Sequence, residues 1–499
     1  MKPLRIAGLV LAGLFASSST LLAQETSVVE KPHHLRYRFI DVGTLGGLDS
    51  IVPFSEPVLN SRGTFVANSD TATPDPFAPI CFYSPNCLVN RAFKWEAGVI
   101  TPLEPLGPGA ESEAHAINER GVAAGMAQTG DLDAALQLPV AHAVIWRNGQ
   151  VLDLGTLGGS FSGVLGINNA DEAAGISFTN IPDPTNPGFP QMHSFVWTRG
   201  KIIDLGTLGG PFSFGGSIND MGQAGGISLT APDPETGESQ QRAYIWEKGK
   251  MHDLGTLGGT YSDGVGLNNK GQGIGTSTPP GDSELHTFLW DKGKMNDVGT
   301  LGGTFSAPSW LTDNGHISGM STTAEDEALH GFLWRDGKMT DVGTLSADDC
   351  SVAYGLNSKD QVVGLSGATC HDGHAFLWEN GSMVDLNELI PAGSALELVA
   401  AEHINDRGEI IGIGVPAGVA RADAETKGHV FVLIPSEGDS SGLSTNETAT
   451  QAVSAGDARS NKQRRAEARA AARQIMQSYF RMARSRPDFR TKMRLFVRP

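Results

Sequence analysis

The stretch Lys338–Trp378, KMTDVGTLSADDCSVAYGLNSKDQVVGLSGATCHDGHAFLW, decides how the whole chain is read. It resolves into four short apolar-rich segments, KMTDVG, SVAYGLN, QVVGLS and HAFLW, separated by turn residues. LNSKDQ between the second and third is a hairpin signal, as are RDGK before the stretch and ENGS after it. The latter two join HAFLW to the next KMxDLG segment. Four antiparallel strands in about 44 residues is the period of a β-propeller blade.

The pattern recurs in register. Asp341 of this unit corresponds to Asp41, Pro102, Asp153, Asp204, Asp253, Asp297 and Asp385, at intervals of 61, 51, 51, 49, 44, 44 and 44 residues. An apolar residue followed by Asn and a turn marks each unit next, at Asn60, Asn118, Asn168, Asn219, Asn268, Asn357 and Asn405, with Thr312 standing in once. Each unit closes on a Trp (Trp95, Trp146, Trp197, Trp246, Trp290, Trp334, Trp378), with Leu433 in the last place. Residues 36–435 therefore hold eight units of an all-β repeat protein. Its first segment is of the KMxDLG kind and its last of the HAFLW kind. In an open array these would be unpaired edges, an invitation to aggregation. In a ring they are hairpin partners, so a closed eight-bladed propeller is expected, with seven blades or an open array as alternatives.

DLGTLGG, at Asp153, Asp204 and Asp253, with DVGTLGG at Asp41 and Asp297, invites comparison with a phosphate cradle. No helix follows it, and no Lys or Arg holds a fixed place in it. It reads instead as the corner between one unit's outer strand and the next unit's inner strand, with the Asp accepting from amides of its own turn.

HAFLW, GKMxDLGTLGG and GINDxGQ, linked and recurring over about four-fifths of the chain, resemble the HAF-repeat extracellular proteins of bacteria. The resemblance implies export and repeat architecture, and it carries no catalytic residues. Departures are Pro102 for Asp, Thr312 for Asn, Leu433 for Trp, and TLSADD at Thr344 in place of TLGGxxS.

Composition fits this reading: 63 Gly, 27 Pro and 18% charged residues suit turns and short strands. Residues 1–23 read as a Sec-type signal peptide, with Lys2 and Arg5 ahead of an apolar run from Ile6 to Phe15 and cleavage after Ala23. Residues 24–35 are a lead-in. A secreted, extracellular or periplasmic location follows, and the four cysteines are expected as the local disulfides Cys81–Cys87 and Cys350–Cys370. No CxxC spacing supports a metal.

Residues 436–461 read as a disordered linker and 462–499 as a basic, partly helical tail, with Ala468, Ala472, Ile475, Tyr479 and Met482 along one stripe. Residues 459–499 hold thirteen Lys and Arg against Glu467 and Asp488, or +11 of a chain total of −18, which leaves −29 elsewhere. An acidic body excludes nucleic acid as its partner. Anionic lipid or the acidic propeller itself suits the tail.

The repeated His of HAFLW (His142, His193, His286, His330, His374, His429) is replaced by Arg91 and Arg242 in two units. Arg donates hydrogen bonds and does not ligate metals, so the shared role is donation to a loop carboxylate or carbonyl, a structural one. The Trp and Phe of the motif are core packing, and the Asn turns lack the dense carboxylates of a calcium loop.

Function is sought where the repeat breaks. The residue before the Ile/Leu–Asn mark, on the inner strand, is small in Ala116, Gly166, Ser217, Gly266 and Gly355 but not in Trp310 and His403. One position earlier lie His115, Tyr354 and Glu402. A channel mouth carrying these five suits a sugar or other small polar ligand. A bulky plug of the hole is the competing reading. The Pro-Asp-Pro loops at Thr73–Cys87, Ile181–Met192 and Ala231–Gln241 form a second candidate surface. No catalytic motif can be argued from spacing, and no cofactor is implied. The leading expectation is a non-catalytic binding or scaffold module for a glycan or a cell-surface protein. The alternative is a polysaccharide hydrolase or lyase using His115, His403 and Glu402.

Overall fold

The computed structural model describes residues 35–436, apart from 54–56, 79–80, 82–83, 185–187, 346–347 and 371. The expected signal peptide, linker and basic tail lie outside the described residues. Among those described, helix is confined to the four residues Ala424–Lys427 and three 3-10 turns.

One unit shows the plan. Strands Gly158–Ile167, Ala173–Pro182, Pro190–Thr198 and Lys201–Asp204 pair antiparallel in chain order. The first strands of successive units lie beside one another, so they form the inner row. The same order recurs along the chain. The last unit has Leu396–Ile404, Ile410–Pro416 and His429–Ser436, and its fourth place is filled by Arg36–Gly43, in register from Arg36 opposite Ser436 to Asp41 opposite Phe431. Radially repeated four-stranded antiparallel sheets with the first strand completing the last sheet are a β-propeller.

Local chemistry explains the turns. Between third and fourth strands, residues such as Asn148, Lys248 and Lys292 take φ of 52–53° or 50°, followed by glycines that are also positive. Two successive positive φ values define the hairpin turn whose twist matches antiparallel strands. At the corner, Gly158 has φ +109°, and a Cβ on Gly159 would sit 2.4 Å from the Cβ of Phe178. The TLGG stretch is a corner where backbone must pass close to the adjoining sheet.

Recurring polar residues tie each unit to the next. Ser162 Oγ donates to the Gly155 carbonyl (2.7 Å) and accepts from the amide of Ala143 on the preceding unit (2.8 Å). Ser50, Ser213, Ser262 and Ser306 repeat this clamp. In the last unit the corner residue Asn387 instead bonds both the amide and the carbonyl of Leu398 on the inner strand.

The marker asparagines form a second belt. Asn60 donates to the carbonyl of Asn118, and the series runs through Asn168, Asn219 and Asn268 to Thr312. It resumes from Asn357 to Asn405 and returns from Asn405 to Asn60 at 3.1 Å. Thr312 has no amide to donate onward, and at that junction His316 Nδ1 approaches Asp360 Oδ1 at 2.6 Å. The cores between units are filled by the aromatic residue of HAFLW. Phe195, Phe288, Phe332, Phe376 and Phe431 are fully buried, whereas Trp197, Trp246, Trp290 and Trp334 pack at the margin.

Both expected disulfides are formed, Cys81–Cys87 and Cys350–Cys370, with Cα separations of 5.1 and 5.5 Å. They suit an oxidising setting. No helix among the described residues is long and apolar enough to cross a membrane.

Asn219 is buried, accepts from the amides of Met221 and Gln223, and donates to Gln223 Oε1 and the Asn268 carbonyl. Asn219→Ala should cost about 2–3 kcal/mol in urea unfolding, because it orphans several buried groups at once. Asn219→Asp should also destabilise, since a carboxylate accepts but cannot donate to Asn268. An unchanged midpoint for both would show that the belt is dispensable.

Candidate functional site

The repeated histidines sit where a structural role requires. Nδ1 of His142, His193, His286, His330 and His374 lies 2.8–3.0 Å from Asp153, Asp204, Asp297, Asp341 and Asp385 respectively. His429 makes the same link to Asp41, 388 residues away in sequence, at 3.1 Å. Each Asp, 385 excepted, also accepts from the glycine amide two residues on, as in Gly155 to Asp153 at 2.7 Å. Burial alone would push Asp297 up, but the His286 contact and the Gly299 amide outweigh it and hold the carboxyl below its usual range. These residues are occupied by the fold.

The breaks in the repeat behave differently. Inner strands carry a β-bulge shortly before the marker asparagine, at Val164/Gly166, Pro308/Trp310 and Ala353/Gly355 for example. A bulge turns the following side chain. In the last unit the strand has two such shifts, at Leu398/Ala400 and Ala401/His403. The span Leu398–Asn405 is one residue longer than Ser351–Asn357.

The outcome is a contact between units that are not consecutive. The rings of Trp310 and His403 meet edge-on, centroids 5.5 Å apart and planes at 77°. Gly355 of the intervening unit makes room, since a Cβ there would meet the Glu402 carbonyl at 2.8 Å and His403 Cα at 3.1 Å. Trp310 is half-buried and packs on the core that includes Leu333, Val342 and Leu356.

Glu402 and His403 are both more than nine-tenths buried, at 5% and 8% exposure. Glu402 Oε2 makes no hydrogen bond among the described residues. Burial raises its carboxyl well above the ordinary value. Burial lowers the His403 imidazole to about 4, against the opposing effect of a bond with the Pro53 carbonyl. At neutral pH the His403 imidazole is uncharged against the Trp310 indole, and burial favours the protonated form of the adjoining Glu402 carboxyl.

Tyr354 and His115 are placed elsewhere. Tyr354 is half-buried between units, against the cluster of Leu365, Val399 and Val415. His115 Nδ1 lies 2.6 Å from the Val164 carbonyl, and its Nε2 is 3.6 Å from Glu113 Oε2. Burial pulls the His115 imidazole down, but Glu113 and the carbonyl together raise it.

Glu113 and the nearby Glu111 were not among the residues singled out from the sequence. Glu111 is pushed up to about 8, chiefly by burial and with Asp75 and Glu113 adding, despite bonds from the Asn90 amide and Gln128. The signal was present: PGAESEAHAIN replaces TLGGxxSxxxxIN in this unit, putting Glu113 on the inner strand and Glu111 one residue before it.

The fold and site together define a β-propeller with a buried polar and aromatic group on its inner strands. No family model matches the chain, and no curated protein matches it. Among solved structures it is similar to the β-propeller domain of the Trilobed protease from Pyrococcus furiosus, at 11% identity over 65% of this chain and 91% of that one, TM-score 0.41. It is also similar to Porphyromonas gingivalis dipeptidyl peptidase 4 (10% identity, 72% and 57% covered, TM-score 0.38) and to a PL25 ulvan lyase (9%, 58% and 79%, TM-score 0.29). At these values no functional residue is transferred from them, and the fold rests on the strand pairing itself.

Glu402→Gln keeps the shape and removes the ionisation. Between the unfolded and the raised folded value, the folded wild type holds a proton that the unfolded chain has released, so its stability falls as pH rises above about 4.5. The variant should therefore match wild type near pH 4 and exceed it increasingly towards pH 8 in urea midpoints. Parallel curves would mean that Glu402 is ionised and compensated.

Proposed function

We propose that the chain is an exported, non-catalytic binding module of the HAF-repeat kind, built on a closed ring of eight blades. Its ligand is a glycan or another uncharged polar molecule, held against Trp310 at the mouth of the inner-strand channel. The observation that carries this reading is the Trp310–His403 contact beside the buried, incompletely bonded Glu402 carboxyl. The polar residues that recur from unit to unit are engaged in clamps, belts or His–Asp links, whereas this group interrupts the pattern. An indole face with the neutral His403 imidazole beside it suits the apolar face and hydroxyls of a sugar. The return of the asparagine belt to Asn60 and the pairing of Arg36–Gly43 with His429–Ser436 support ring closure. The apolar N-terminal run and the two disulfides support export.

One observation favours a second reading as a polysaccharide hydrolase or lyase, namely the buried His115–Glu113 pair at 3.6 Å. A close histidine and carboxylate can share acid–base work, although here one ring nitrogen is engaged by a backbone carbonyl.

A glycan-array experiment on the secreted protein separates the two. Binding that weakens at least about tenfold in Trp310→Ala, a loss of roughly 1.4 kcal/mol, supports the channel-mouth module. Product release that disappears in Glu113→Gln establishes the enzyme instead. Absence of both binding and product overturns the glycan reading.

A further inference from the structure

Antiparallel order sends the chain's turns alternately to two ends of the propeller. The corners between units and the connections from second to third strand lie at one end. The hairpins after the marker asparagines and after the closing tryptophans lie at the other. Charge follows this division. None of the corners contains a Lys or Arg, from residues 44–45 through 103–111 and 254–261 to 386–395. The connections from second to third strand contain none either, until Arg421 and Lys427 in the last. Acids concentrate there, with Asp233, Glu235 and Glu238 in residues 231–240, and Glu325, Asp326 and Glu327 in 324–328. The opposite end is of mixed sign, with Lys248, Lys270 and Lys292 set among Asp220, Asp313 and Asp406.

The acidic end is also locally apolar. Leu132 and Ile181, at the starts of two neighbouring connections, are 44% and 47% exposed. A face combining one sign of charge with exposed aliphatic side chains fits a cationic amphipathic segment. This chain contains one. Residues 459–499 carry +11, and Ile475, Tyr479 and Met482 fall on the stripe predicted from the sequence.

Reach permits the contact. Ser436 ends a strand that runs from the acidic end to the opposite one, so the tail must double back over one strand length, about 26 Å for eight residues. A random coil of as many residues as separate Ser436 from Arg459 would have a root-mean-square span of about 26 Å. The mixed end beside Ser436 offers the tail no net attraction, and the acidic end does.

We propose that residues 459–499 dock in cis on the acidic end of the propeller, across the connections between residues 133 and 328. The tail then covers one face of the scaffold and leaves it when salt or a stronger polyanion competes.

Zero-length carbodiimide coupling in the full chain tests this, because Lys462 and Lys492 are the tail's only amine side chains. At low salt they should couple to carboxylates in residues 231–240, 278–285 and 324–328, and coupling should fall at least fivefold in 1 M NaCl. Neutralising the face (Asp233→Asn, Glu235→Gln, Glu238→Gln, Glu325→Gln, Glu327→Gln) should reduce it similarly and speed tryptic cleavage at the tail arginines. Coupling confined to the opposite end, or insensitive to both changes, would overturn the proposal. Mixing isotopically light and heavy chains separates the routes, and coupling only between unlike chains would replace docking in cis with contact between two copies. Flotation on phosphatidylserine vesicles that is unaltered by neutralising the face would assign the tail to membranes.

Discussion

Hydrogen bonds from a side chain of one unit to the backbone of the next are the interaction on which the rest of this structure depends. A four-stranded antiparallel sheet has two apolar faces and cannot bury either alone. Stacking each sheet between two neighbours solves that, but apolar packing is non-directional and does not specify the angle between sheets. The serine clamp and the asparagine belt supply direction. Each joins groups whose burial unpaired would be costly, so the angle at which all of them are satisfied is favoured over its alternatives. Where the belt lacks a donor, at Thr312, the His316–Asp360 contact ties the same two units.

This economy shapes where function is sought. Polar residues that recur in register are engaged by the fold, including the histidines that would otherwise invite a metal. The unusual chemistry lies at departures from the repeat. On the inner strands Trp310, His403, Glu402, Glu113 and His115 replace small or apolar residues, and the buried ones carry shifted ionisation or an oxygen without a hydrogen bond. A repeat scaffold tolerates such groups because the other units hold its geometry.

The same topology gives the two ends of the propeller different chemistry. A periodic sequence in which lysines follow the closing tryptophan and acids follow the second strand is, along the chain, only an alternation. Folded, it becomes a spatial difference, with one end acidic and almost without Lys or Arg in its loops and the other of mixed sign. An alternation of charge along sequence would be screened to little at ordinary salt, whereas a face of one sign attracts an oppositely charged segment over several ångströms.

The sequence by itself determined the strand order, the corner role of TLGG, the hairpins, the His–Asp links and both disulfide pairings. These are legible because they join residues at short, constant separations, eleven for His142 and Asp153 and twenty for Cys350 and Cys370. The pairing of Arg36–Gly43 with His429–Ser436 was legible too, since the first and last segments of the repeat are complementary hairpin partners. Tertiary structure alone decided which of the singled-out residues meet. Trp310 and His403 are 93 residues apart, and their contact depends on Gly355 leaving room and on an extra residue in the last inner strand. Tyr354 occupies the position before Gly355 yet packs between units, and His115 is joined by Glu113, which its spacing did not mark. Bulges explain the difference. A one-residue register shift moves a side chain to the other face of a strand, and the shift is set by packing against the neighbouring sheet, which no local pattern encodes.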